Sequence, residues 1–372
     1  MVAPLALEAV ELRRIRLELV TPFRTSFGTQ TERDVLVVRA LTADAEGWAE
    51  CVAMAEPTYS PEYVDGAQHV IREHLLPRLF AASRLSAELV SVQLEAVKGH
   101  QMAKAALETA LLDAELKAAR VSLGQYLGAV RSRVDCGVSV GIMSSMAELL
   151  EAVTGYLDAG YRRIKLKIEP GWDIEPVRWV RERFGDDLLL QVDANTAYTL
   201  ADASHLAALD EFGLLLIEQP LGERDLLGHA ELAKSMKTPI CLDEAIESAT
   251  DAAAAIRLGA CAVVNIKPGR VGGYLEARRI HDLCAAHDVP VWCGGMLETG
   301  IGRAANIALA AMPGFTLPGD TSASDRYYAL DVTPPFILDD GRLAVPTDPG
   351  IGVTPLMDVL DDVTTGVELI RA

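Results

Sequence analysis

No run of 18 or more apolar residues occurs in this chain, so it offers no stretch of membrane-spanning helix length. The N-terminal MVAPLALEAVELRR has no basic n-region, and Glu8 and Glu11 break its apolar stretch, which makes it a poor signal peptide. Cysteine is sparse. Six residues (Cys51, Cys136, Cys241, Cys261, Cys284, Cys293) are scattered without a C-x-x-C pair, against a disulfide framework or zinc cluster and in favour of reduced, mostly buried thiols. A cytoplasmic location is expected. Positive charge is in deficit, 34 Lys and Arg against 53 Asp and Glu, and the net charge of −19 argues against non-specific binding to nucleic acid or to an anionic membrane. An anionic small substrate would therefore have to meet local positive charge.

Several familiar signatures are missing as well. GIGRAA (300–305) contains G-x-G but lacks the third glycine and does not open a βαβ unit, so a dinucleotide site is not expected, and neither a P-loop nor a G-x-S-x-G elbow is present. No organic cofactor is called for. His281, Cys284 and His287 are spaced three apart on a helix-like segment and drift around its surface, which predicts solvated helix residues rather than a metal pair.

What is present is a period. At 372 residues, half of them hydrophobic, the chain is long for one domain and has the composition of a globular protein. From about residue 136 to 320, strand-like runs (CGVSVG, RIKLKI, LLLQVDAN, LLLIEQP, PICLDEA, AVVNIKP, PVWCGGM, FTLPGD) alternate with helix-like segments such as SMAELLEAVTGYLDAG. Eight such units predict parallel strands with right-handed crossovers closing into an α/β barrel, with an open doubly wound sheet as the alternative. Residues 1–130 break the rhythm: VELRRIRLEL, VLVVRAL and GWAECVAM read as antiparallel strands, followed by Ala-, Leu- and Glu-rich helices. This predicts an α+β capping domain over 1–130, a barrel over 131–329, and a tail over 330–372, including strand-like FILDDGRLAVP, that returns to the cap.

In YRRIKLKIEP (161–170), alternation puts Ile164, Leu166 and Ile168 on one face and Arg163, Lys165 and Lys167 on the other. Taken alone, the stretch is also compatible with a lysine-blunted edge strand. Lys167, Asp193, Glu218, Asp243 and Lys267 follow one another at intervals of 26, 25, 25 and 24 residues, each about one β/α unit. Five charged strand-end side chains thus gather at the C-terminal mouth of the barrel, where active sites of such barrels lie. Three carboxylates on adjacent strands, with no histidine or thiolate beside them, make a hard oxygen site suited to Mg²⁺ or Mn²⁺; the bland alternative is a buried salt network that neutralises the lysines. Lys167 and Lys267 would flank the metal. A lysine base needs a lowered pKa, and Lys165, on the same face, supplies a like charge for that purpose. Such a base would act on the carbon beside a carboxylate, giving an enediolate; two opposed bases permit racemisation, and one base with a facing cation permits elimination of water. Arg270, three residues past Lys267, is expected either to bias that lysine towards its neutral form or to form a surface salt bridge to a barrel helix.

RIKLKI, VDANTAY, LIEQP, CLDE, VNIKPGRVGG, WCGGMLETGIGRA and LPGDTSASDR, with PFRTSFG and AEPTYSPEY in the cap, resemble the enolase superfamily over almost the whole chain, in the branch of o-succinylbenzoate synthases and N-succinylamino acid (N-acylamino acid) racemases. The resemblance implies a TIM-like (β/α)7β barrel with an N-terminal cap and a symmetric homo-oligomer. It also implies Asp193, Glu218 and Asp243 as ligands of Mg²⁺ or Mn²⁺, Lys167 and Lys267 as the acid/base pair, and Lys165 and Asn195 in support. The substrate implied is a carboxylate with a succinyl or acyl arm, held by Phe23, Tyr59, Ser139, Met296 and Leu297. Phe23 and Tyr59 are equally readable as domain-packing aromatics. Implied alternatives are a dedicated N-acylamino acid racemase or a dipeptide epimerase; an alternative of another class is a non-catalytic metal-binding scaffold.

Overall fold

The computed structural model describes residues 5–372. Its first module is a four-stranded antiparallel sheet. β1 (Leu7–Thr25), β2 (Gly28–Thr42) and β3 (Glu46–Cys51) follow one another, and the helix Gln101–Ala119 packs across them. The β1–β2 register runs unbroken from Val10↔Ala40 to Glu18↔Glu32, slips, and resumes at Phe23↔Gln30. A slip of this kind re-aims side chains beyond it, and Phe23 lies just past it.

The second module carries β4 (Arg133–Asp135), then β5 (Gly137–Val140), β6 (Arg163–Lys167), β7 (Leu189–Asp193), β8 (Ile217–Glu218), β9 (Ile240–Leu242), β10 (Val263–Ile266) and β11 (Val291–Cys293). β5 to β11 form one parallel sheet in chain order. β6 lies between β5 and β7 with all five residues buried, which removes the edge-strand reading of Lys165 and Lys167. Crossover helices cover one face. The first of them begins where the Ser145 side chain accepts from the Glu148 N–H, a local N-cap that S-x-x-E encodes. Ile164, Leu166, Val192, Ile217, Leu242, Val264 and Ile266 join Leu149, Val153, Val177 and Val180 of the helices in a single core. On the other face, Leu216, Cys241, Val263 and Trp292 form a smaller cluster, with Lys165 Nζ 4.8 Å from the Trp292 ring.

The expected eighth strand, FTLPGD, is absent as a regular strand. The segment makes isolated parallel bridges, Phe315 to Val291 and Gly319 to Cys136, and Pro318 within it has no N–H to give to a ladder. FILDDGRLAVP forms β12 (Arg342–Ala344), which pairs with β4 rather than with the cap. The return is made by β13 (Thr364–Arg371), antiparallel to β1. His281 and Cys284 are buried, contrary to the solvated helix expected: His281 stacks on Phe315 at 5.5 Å, and its Nε2 lies 3.0 Å from the Gly314 N–H. His287 is exposed. Among the described residues no helix is long and apolar enough to cross a membrane.

Candidate active site

Strand periodicity brings the charged layer together. Lys165 pairs in register with Gln191, and Lys167 with Asp193, which in turn pairs with Glu218. Asp193, Glu218 and Asp243 are fully buried, and each is held by a cation: Lys167 Nζ is 2.6 Å from Asp193, Lys165 Nζ is 3.0 Å from Glu218, and Lys267 Nζ is 2.8 Å from Asp243. Arg270 also pairs with Asp243 and donates to the Ile246 and Asn265 carbonyls. All the contacts of the salt-network reading are therefore made, and among the described residues no three acid, histidine or thiol groups converge as a ready ligand set.

The donor chemistry nevertheless fits a hard divalent cation, since three buried carboxylates from neighbouring strands present only oxygen. Their other contacts orient them for it. Asp193 Oδ1 accepts from the Asn195 N–H and Glu218 Oε1 from the Asn265 amide. The surrounding buried groups (Arg163, Lys165, Lys167, Lys267 and Arg270 against Asp193, Glu218, Asp243, Glu244 and Asp320) balance in formal charge. A divalent ion arriving with a substrate carboxylate, beside one lysine in neutral form, keeps that balance.

The two lysines have opposite environments. Burial, more than the like charge of Lys165, lowers the Lys167 pKa below the ordinary lysine value, although Asp193 works against it. The sequence expectation gave Lys165 the leading part, and desolvation takes it. For Lys267, burial is outweighed by Tyr59, Glu244, Glu218 and Asp193, and its pKa is raised. Arg270 thus fails to leave Lys267 neutral; it is buried rather than at the surface, and its own charge is spent on Asp243. Lys165 is likewise held charged, its burial outweighed by Asp320, Glu218 and Asp193.

Above this layer lies a cavity with about 390 Å³ of empty space. Lys167, Asn195 and Lys267 enter it from the sheet, Met296 and Leu297 from the loop after β11, and Phe23 and Tyr59 from the cap. Tyr59 does more than pack: its hydroxyl accepts from Lys267 Nζ at 3.0 Å. Asn195 bridges Lys167, through Oδ1 at 2.6 Å, and Glu244, through Nδ2 at 2.9 Å. Ser139 is not in the cavity wall; its hydroxyl donates to Asp320 at 3.3 Å.

Sequence reasoning passed over Asp320, Gln219 and the cap residues Phe27 and Arg33 of the cavity wall. Asp320 binds Arg163 at 2.8 Å and Lys165 at 2.6 Å. It sits in LPGD, after a segment whose regular period had lapsed. Gln219 has φ +39° and accepts from the Asp243 and Ala245 N–H groups, tying β8 to the loop after β9. Asn195 and Leu297 are also left-handed, at φ +40° and +59°. Non-glycine residues held there store strain of a kind concentrated at functional sites, and no local sequence signal announces them.

Residues 148–359 match the enolase C-terminal domain-like family, and residues 9–128 match the mandelate racemase / muconate lactonizing enzyme N-terminal domain. The chain belongs to the enolase superfamily. It is 67% identical over 359 residues, 96% of this chain and 98% of the relative, to an N-succinylamino acid racemase of Amycolatopsis sp.. It is 50% identical to an o-succinylbenzoate synthase of Geobacillus kaustophilus, covering 93% and 92% of the two chains. A crystal structure of an enolase superfamily member from Listeria innocua superposes with a TM-score of 0.94 at 41% identity, covering 99% of each chain. The superfamily fold joins a separate antiparallel N-terminal domain to a parallel half-barrel of seven strands, as seen here.

Proposed function

We propose that the protein removes the proton alpha to a carboxylate, racemising N-succinylamino acids and converting a hydroxycyclohexadiene carboxylate into o-succinylbenzoate by loss of water. The observation that carries this reading is that Lys167 and Lys267, from strands four apart in one sheet, end in the same cavity, each against one of the buried carboxylates. The relatives named as N-succinylamino acid racemase and as o-succinylbenzoate synthase support both reactions.

Asp193, Glu218 and Asp243 would hold Mg²⁺ or Mn²⁺, which when bound supplies positive charge to polarise the substrate carboxylate and stabilise the charge developing there. Lys167, whose neutral form burial favours, takes the proton at its Nζ and, in dehydration, gives it to the departing hydroxyl so that water leaves. Lys267 stands on the other face as a cation, steadied by Tyr59; in racemisation it returns a proton there and, neutral once it has done so, takes the proton of the opposite enantiomer, and in dehydration its charge suffices. Asn195 fixes the Lys167 head group, and Lys165 holds Glu218 and Asp193 in place. Phe23, Tyr59, Met296 and Leu297 pack along the acyl arm, and Ser139 stands behind them on Asp320.

The reading includes a capping domain over 1–130 joined from the 330–372 tail by β13, a barrel over 131–329 whose eighth stave is the Phe315 to Asp320 segment, a homo-oligomer, and a cytoplasmic location. Dipeptide epimerisation would need an acidic partner for the free ammonium of the N-terminal residue, and the residues that line the cavity include no carboxylate. The test is deuterium uptake at the α-carbon of N-succinylphenylalanine in D₂O with Mg²⁺. Uptake is expected for both enantiomers, and its absence with each metal would overturn the reading.

A further inference from the structure

Beside the cavity, and sharing Phe23 with it, lies a larger open cavity with about 1590 Å³ of empty space, bounded by the top of β5 and its following loop (Gly141, Ile142, Met143) and by Arg326. Arg326 is 7% exposed, yet among the described residues it has no ion-pair partner. Its guanidinium sits among three aromatic rings, 4.8 Å from Tyr327, 5.0 Å from Tyr156 and 5.7 Å from Phe23. Nη2 donates to the Ser139 carbonyl at 2.8 Å and Nη1 reaches Thr21 Oγ1 at 3.5 Å, while Nε is buried and finds no acceptor.

A buried cation is costly unless an anion meets it, and the carboxylates lining this cavity do not. Glu148 accepts from the Ser144 hydroxyl at 2.6 Å, and Asp325 forms no ion pair among the described residues. Arg24, the other cation of the wall, is paired with Glu169 at 2.8 Å. Aromatic faces hold the guanidinium in place without neutralising it, which leaves a fixed fork suited to a carboxylate. Its position follows from the sheet. Ser139, to which Arg326 is anchored, pairs in register with Lys165 of β6, so the fork stands one strand from β6, whose last residue is the base Lys167.

Resting on the functional reading above, we propose that Arg326 is a specificity-determining residue: it binds the far carboxylate of the succinyl arm, which passes Phe23 into this second cavity. A neutral acyl arm leaves the charge unmet, so the enzyme prefers a dicarboxylic arm for an electrostatic reason rather than for its length.

The experiment compares α-proton exchange of N-succinyl-, N-succinamyl- and N-acetylphenylalanine, with Mg²⁺, by the wild-type protein and by Arg326→Gln and Arg326→Lys. The succinamyl arm matches the succinyl arm in shape and lacks only its charge. Wild type is expected to favour succinyl over succinamyl by roughly 10–100-fold in kcat/KM, mainly through KM, as a charge-assisted contact requires. Arg326→Gln should collapse that ratio towards one, and Arg326→Lys should restore part of it. Equal wild-type turnover of all three substrates overturns the proposal and leaves the functional reading standing, whatever the variants do. An unchanged ratio in a folded Arg326→Gln protein overturns it as well. Exchange with none of the three overturns the functional reading and the proposal with it.

Discussion

The ammonium of Lys165 lies 2.6 Å from Oδ2 of Asp320, on a segment that never pairs as a regular strand. Asp320 also holds Arg163, and the two cations pull its carboxyl well below the usual range against the effect of burial. It is the anchor that keeps Lys165 charged beneath Asp193 and Glu218. Asp320→Asn should free Lys165 to draw on those two acids and disturb any ion they hold. The expected result is a roughly 10–100-fold fall in kcat/KM or Mg²⁺ affinity, the scale for losing a partner of a metal ligand, measured by the exchange assay under Mg²⁺ titration. Unchanged values in both would show that Lys165 needs no such anchor.

The five charged strand ends were legible because a parallel β/α repeat puts each strand's last inward side chain at one mouth, and a spacing near 25 residues survives in the sequence. Asp320 was not legible, because it reaches the site through isolated bridges around Pro318, where no alternation marks it. Nor was the role of Arg270 legible. Its distance from Lys267 suggested a direct influence, but a side chain on the turn Pro268–Val271 can fold back to Asp243 and two carbonyls, and only the packed structure shows that it does. Phe23 was found by resemblance; the register slip that aims it is a property of strand pairing rather than of its neighbours in sequence.

Two of the acids should respond differently to neutralisation. Asp193 is held ionised, its burial outweighed by Lys167 and Lys165, whereas Glu218 is pushed above the usual value by burial and by Asp193 itself. In the presence of a chelator, Asp193→Asn should lower thermal stability, since breaking a buried pair costs about 3–5 kcal/mol, while Glu218→Gln should be neutral or stabilising. With Mg²⁺, both variants and Asp243→Asn should lose activity and bind the ion more weakly. Calorimetric unfolding with chelator, paired with Mg²⁺ titration, checks both halves; full activity in all three variants would sink the ligand assignment.

Glu108 supplies a pH test remote from the site. From the middle of the helix Gln101–Ala119 its carboxyl accepts from the Leu275 N–H at 3.1 Å, at the start of the helix Tyr274–Ala286, which has no side-chain cap of its own. Burial pushes its pKa up from 4.5 to about 8. The folded value lies above the unfolded one, so the stability carried by the protonated form is complete below pH 4.5 and is lost as pH rises through about 8. Glu108→Gln keeps the acceptor and removes the titration. Its Tm relative to wild type should rise between pH 5.5 and 8.5, and a constant difference across that range would show that Glu108 does not titrate there.

The lysines separate the two reactions. Burial favours the neutral form of Lys167, which suits a base, whereas Tyr59 and the surrounding acids favour the cation at Lys267. Dehydration needs one base and a facing charge; racemisation needs proton transfer on both faces. Arginine keeps the charge and cannot give up a proton at working pH. Lys267→Arg should therefore abolish racemisation while retaining part of the dehydration, and Lys167→Arg should abolish both. Alpha-proton exchange should survive in Lys267→Arg for one enantiomer of N-succinylphenylalanine only, the one whose α-proton faces Lys167. Both reactions are to be assayed on each variant with Mg²⁺ or Mn²⁺. Substantial dehydration by Lys167→Arg but not by Lys267→Arg would reverse the assignment of the base, and normal racemisation by both would refute a mechanism that uses two lysines.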